Sequence, residues 1–80
     1  MTTAIVLVDV ERTAMPHFGE ELAAVDGVAE AMSVSGEWDF VAIVRVEETG
    51  RLSNLVSGEI GGLPGVLRTH TMVAFETFTD

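Results

Sequence analysis

The chain predicts an α+β domain, and three observations carry that prediction. Strand-like, β-branched runs alternate with segments whose apolar residues fall at helical spacing. The chain also echoes itself: Ala4, Ile5, Val6 and Val8 recur 38 residues later as Ala42, Ile43, Val44 and Val46. The same offset then relates Glu21 to Glu59, Leu22 to Ile60, Val25 to Leu63, and Gly27-Val28 to Gly65-Val66. Two copies are too few for a solenoid, so the echo reads as a duplicated supersecondary unit.

Each unit opens with a strand, Ala4–Val10 and then Val41–Val46. A helix follows, with Ala14, Phe18, Leu22 and Val25 on one stripe in the first copy. Leu52, Leu55, Val56, Ile60 and Leu63 form the stripe of the second. Thr13 and Thr49 are expected as N-caps, and Pro16 is tolerated only because it falls in the first turn. Gly27 and the pair Gly61-Gly62 end the helices. Gly19 and Gly58 weaken both, so packing on a sheet must hold them. A second strand closes each unit, Val28–Ser35 and Val66–Phe78, and "GEWD" joins the units.

The order βαββαβ, made of two intertwined βαβ copies, is that of the ferredoxin-like sandwich. This is the dimeric α+β barrel type of domain: a four-stranded antiparallel sheet with two helices on one face. Its first and third strands lie in the centre, and Val6, Val8, Val44 and Val46 are expected to face the helices. Ile5, Leu7, Ile43, Arg45 and Glu47 fall on the other face. That mixture is too apolar for bare solvent and too charged for a closed core, as an oligomer interface is. The second and fourth strands alternate poorly, and their faces stay open.

Composition narrows the function classes. Eighty residues make one small domain, and a chain this short buries only about 60 % of its unfolded surface. With no cysteine, neither disulfides nor thiolate metal sites reinforce it, yet 48 % of the residues are hydrophobic. Self-association is therefore expected, because oligomer interfaces extend a small core. Thirteen acids face four arginines and no lysine, for a net charge of −9. Such a surface repels phosphate backbones and anionic membranes, which excludes direct nucleic-acid binding. The N-terminal apolar run breaks at Asp9, too short for a signal segment or a membrane span, so a cytoplasmic protein is expected.

With these residues placed, the chain resembles the ligand-binding (RAM) domain of the Lrp/AsnC transcription regulators, over essentially its whole length. The carriers are "GEELAAVDGV", "VSGEWDF" and "LPGVLRTHTMVAF". Gly36, Trp38 and Asp39 match the family's Gly-x-aromatic-Asp turn. Gly65, Val66, Thr69 and Thr71 match its Gly-Val-x-x-Thr-x-Thr strand. Two departures stand out: no segment here supplies the family's helix-turn-helix, and Trp38 replaces the usual tyrosine, losing a hydroxyl acceptor. A single domain spanning 1–80, with no DNA-binding domain, is therefore expected.

The resemblance implies dimers through the sheet, rings of dimers, and small effectors, typically amino acids, bound between dimers. It implies a ligand site at Ser35, Gly36, Trp38, Asp39, Thr69 and Thr71. A turn at Gly36 would aim free amides at a carboxylate, and Asp39 would pair with an α-ammonium. Trp38 would wall an apolar side chain, and the threonines would add hydroxyl contacts. Against this stands the plainer reading that Gly36 turns a hairpin, Asp39 caps it, Trp38 packs in an interface and the threonines are good strand formers.

No cofactor or metal is expected. His17 and His70 lie on different elements, without a ligand spacing, and "GEIGGLPG" sits at a helix end rather than where phosphate loops form. Glu20 and Glu21 read as a solvated helix face, and Met15, Met32 and Met72 as core filling. The expected function is an amino-acid sensor and assembly module that modulates full-length regulators of the same family. The alternative is a small dimeric enzyme, such as a monooxygenase or isomerase, with a pocket between sheet and helices. A pocket holding His70 with Glu30 or Arg68 would favour the enzyme.

Overall fold

Strict alternation in the first strand sets the layers. In the computed structural model, which describes residues 1–80, β1 (Thr2–Val10) buries Ala4, Val6, Val8 and Val10 and leaves the residues between them partly open. Its neighbour β3 (Phe40–Val46) does the same with Phe40, Ala42, Val44 and Val46. The two pair antiparallel from Thr2 opposite Val46 to Val8 opposite Phe40. With β2 (Val28–Ser33) and β4 (Val66–Val73) at the edges, the strand order is β2-β3-β1-β4 and every pairing is antiparallel. The central position of β1 and β3 is the one the sequence predicts.

Two helices cover the buried face. Helix α1 (Met15–Ala23), entered through a 3-10 turn at Arg12–Ala14, sends Phe18 and Leu22 into the core. Helix α2 (Gly50–Asn54) continues as a π-helical segment, Leu55–Ile60, and contributes Leu52, Leu55 and Ile60. Phe18 packs its ring on Phe40 with centroids 5.0 Å apart. Fully burying a side chain such as Phe18 or Leu55 contributes about 1.5–3 kcal/mol, so these few residues carry much of a small domain's stability.

The duplication survives in three dimensions. Ala4 and Ala42, Val6 and Val44, Val8 and Val46, and Leu22 and Ile60 are all buried, each pair one repeat apart. Gly27 and Gly65, also one repeat apart, both hold positive φ (104° and 92°) just before an edge strand.

The register assigns the faces that the sequence left open. On β4, Thr69 pairs with Val8 and Thr71 with Val6, so both threonines point to the helix side. Arg68, His70 and Met72 pair with Asp9, Leu7 and Ile5 and occupy the uncovered face. On β2, a bulge at Ala29 shifts the register; Glu30 and Met32 oppose Ile43 and Val41 on the uncovered face, and Ala31 opposes Ala42 on the covered one.

Several local expectations are corrected. Strand β4 ends at Val73 rather than Phe78, because β1 begins at Thr2 and offers β4 no further partners once Ala74 donates to the Thr3 carbonyl. Strand β2 ends at Ser33, where the turn begins. Neither threonine caps a helix through its side chain; Thr49 Oγ1 lies 2.7 Å from Thr2 Oγ1 instead. Met15, Met32 and Met72 are exposed, the last two on the open sheet face, so they do not fill the core. Glu20 is exposed as expected, whereas Glu21 is half-buried. No helix is long and apolar enough to cross a membrane.

Candidate functional site

The turn between β2 and β3 is closed by a backbone bond from Val34 N to Asp39 O at 3.0 Å. Gly36 sits at its tip with φ 105°, a conformation that L side chains rarely adopt, which is why a glycine stands there. The amides of Ser35, Gly36, Glu37 and Trp38 make no hydrogen bond within the protein and are free donors.

Asp39 fastens this turn to the end of β1. Its Oδ2 accepts the Val10 amide at 3.0 Å, and its own amide donates both to the Val8 carbonyl (3.1 Å) and to Asp9 Oδ1 (3.2 Å). Asp9 Oδ2 in turn accepts Arg68 Nε at 2.7 Å. The Arg68 guanidinium lies over the Trp38 ring, 4.1 Å from its centroid, and reaches Glu37 at 3.9 Å. His70 completes the row, its ring 6.2 Å from that of Trp38. Three loop residues are thus tied to two strands by charge-assisted and aromatic contacts.

Beside Asp39 lies a cavity of about 330 Å³ lined by Val10, Arg12, Met15 and Asp39. A second, shallow groove of about 350 Å³ runs between the second helix and β4, lined by Thr49, Leu52, Ser53, Val56, Ser57 and Thr71. The predicted site residues divide between these places. Asp39 lines the first cavity, Ser35 and Gly36 are exposed at the adjoining tip, and Trp38 lies half-buried against Arg68 and His70. Thr71 lines the second groove, and Thr69 faces the helix side, separated from β3 by the whole of β1. One chain therefore does not bring the turn and the threonines into a single pocket.

Arg12, Asp9 and Arg68 were not among the predicted site residues. A signal for Arg68 existed: placing Thr69 and Thr71 on one face of a strand puts Arg68 and His70 on the other. Arg12 had no such signal, since its place depends on how β1 turns into α1. His17 is exposed on α1, and no group of three or more His, Asp or Glu side chains converges to hold a metal.

A family model described as the Lrp/AsnC ligand binding domain matches residues 3–80. The chain belongs to that family. An HTH-type transcriptional regulator of Pyrococcus furiosus is 32 % identical over 82 residues, which cover 99 % of this chain and 55 % of the regulator. The regulator FL11 of Pyrococcus horikoshii is 31 % identical over 77 residues, 96 % of this chain and 50 % of that one. The chain thus spans about half the length of the curated relatives it matches. Among solved structures, TTHA0845 from Thermus thermophilus is 38 % identical with a TM-score of 0.92, and each chain covers 100 % of the other.

In this Lrp/AsnC ligand-binding domain, Gly36 and Gly65 stand where they do for physical reasons. Gly36 needs positive φ at the turn tip. Gly65 needs it where β4 starts, and its carbonyl accepts the Glu11 amide at 2.7 Å. A Cβ on Gly65 would also come within 2.5 Å of the Ala14 Cβ, so no larger residue fits.

Proposed function

We propose that this Lrp/AsnC domain is an amino-acid sensing and assembly module that modulates transcription regulators of its own family. The observation that carries the reading is the fixed Asp39 carboxylate beside an open cavity, next to a turn whose amides are free. A carboxylate suits an α-ammonium, and free amides suit a carboxylate, so the two ends of an amino acid both find partners. The transcriptional regulator NMB0573 from Neisseria meningitidis, which shares the fold at 15 % identity and a TM-score of 0.87, was solved as a complex with L-Met.

Assembly follows from the uncovered sheet face. Ile5, Leu7, Val41 and Ile43 form an apolar centre there, edged by Met32 and Met72. Two copies joined through this face form the proposed dimer, with charged residues such as Arg45 at its rim. Rings of dimers then bring Ser35, Gly36, Trp38 and Asp39 of one protomer towards Thr69 and Thr71 of another, which reunites the predicted site. An effector shifts such an assembly only by its different affinity for the assembled and dissociated states.

The space between sheet and helices is filled by Phe18, Leu22, Leu55, Ile60 and the buried valines. His70 and Arg68 lie on the opposite face, so no observation favours the enzyme reading. A thermal-shift panel of the twenty amino acids, with sedimentation of the free and loaded protein, tests the proposal. A shift in melting temperature accompanied by a change in assembly supports it; no shift at millimolar concentrations ends it.

A further inference from the structure

Two of the four arginines are engaged: Arg51 with Asp26 and Glu59, and Arg68 with Asp9 and Glu37. Arg45 stands unpaired on the uncovered sheet face, away from either cavity. Arg12 is different. In a chain with thirteen acids it has no ion-pair partner, yet it lines the same cavity as Asp39. The two are not within ion-pair distance of each other, so the space between opposite charges is left for something else. Val10 and Met15 complete the lining and are apolar.

The geometry points to Arg12 as the carboxylate anchor of the effector site, which makes that site a receptor for zwitterionic α-amino acids with an uncharged, apolar side chain. This deepens the proposed function and rests on it. The guanidinium offers a planar fork of donors that matches a carboxylate with two parallel bonds, and so adds a charged anchor to the single bonds that the free turn amides donate. Asp39 has the complementary pole. Its Oδ2 is engaged by the Val10 amide, but a carboxylate has about four acceptor positions and Oδ1 remains open to an ammonium. With both charged ends matched, the third substituent of the α-carbon is left to Val10 and Met15.

The volume agrees, since about 330 Å³ lies at the small end of ligand pockets, which run from roughly 300 to 1,000 Å³. The net charge of −9 sharpens the selection: a simple anion is repelled by the molecule as a whole, whereas a zwitterion is not. An acidic side chain would add a second negative charge without a second cation in the lining. A basic one would leave its charge against Val10 and Met15.

The test is calorimetric titration of the full chain and of Arg12→Gln and Arg12→Lys with L-methionine and with L-methioninamide, whose carboxylate charge is gone. Arg12 is exposed and its side chain makes no ion pair in the fold, so both variants are expected to melt with the parent. The parent should bind L-methionine roughly 10- to 100-fold more tightly than the amide, the range for one charge-assisted bond. Arg12→Gln should lose that preference by weakening only the free acid, and Arg12→Lys should restore part of it. If Arg12→Gln binds L-methionine like the parent while Asp39→Asn does not, Arg12 is not the anchor although the sensing reading stands. If the parent binds neither compound nor any other apolar amino acid, both fall.

Discussion

Arg68 donates to Asp9 at 2.7 Å while its guanidinium covers the only tryptophan, Trp38, at 4.1 Å. Asp9 also accepts the amide of Asp39, so the cavity beside Asp39 and the uncovered sheet face share one chain of contacts. Because Trp38 is the sole tryptophan, its fluorescence reports on that chain without labelling.

Arg68→Ala should free the indole. An exposed cation–π contact contributes about 0.5–1 kcal/mol and an exposed ion pair less than about 1 kcal/mol, so stability should fall by on the order of 1 kcal/mol. Tryptophan emission should shift to the red. Arg68→Lys keeps the charge but not the planar stack, and should recover only part of the change. Denaturant melts followed by emission separate the two effects.

The two motif glycines should differ in cost. At Gly36 a Cβ meets nothing within 4 Å, so Gly36→Ala adds backbone strain alone, on the order of 1 kcal/mol. At Gly65 the same strain is joined by a collision with Ala14. Gly65→Ala should therefore destabilise markedly more than Gly36→Ala in parallel urea melts. Equal losses would mean that the α1 entry gives way freely.

Ile43 lies opposite Ile5 in the middle of the uncovered face. A charge there meets water in a monomer but an apolar partner in the proposed dimer. Ile43→Glu should therefore leave the far-ultraviolet dichroism unchanged and reduce the sedimenting mass to that of one chain. An unchanged mass would place the assembly surface elsewhere.

Leu22 and Ile60 are the repeat-related anchors of the two helices, both fully buried. Truncating either to alanine should cost about 2–5 kcal/mol, a large share of the stability that a domain of this size holds. Thermal melts of the two variants should show similar losses, as their equivalent positions imply.

The sequence revealed much of this architecture because it states the pattern twice. An alternation written in β1 and again in β3 fixes the buried face with little room for error. Edge strands are harder to read, since β2 and β4 are paired on one side only and their residues on both faces stay partly open. The bulge at Ala29 breaks the alternation of β2 outright. Met32 and Met72 misled because an uncovered apolar face draws the same residue types as a core. The turn from Gly36 to Asp39 was legible as a turn, whereas the placing of Arg12 beside Asp39 depends on tertiary packing that no local pattern encodes. Thr69 and Thr71 were legible as a pair, but strand periodicity alone did not say which face they share.

Binding of an amino acid in the cavity beside Asp39 is tested by a thermal-shift titration of the parent and Asp39→Asn. A ligand that binds only the folded state stabilises it by about 2.7 kcal/mol at a hundred times its dissociation constant, a shift of several degrees in a domain of this size. An apolar amino acid should produce this shift in the parent, and Asp39→Asn, folded but lacking the charge, should lose most of it. An equal shift in both proteins, or none in the parent, would contradict binding at Asp39.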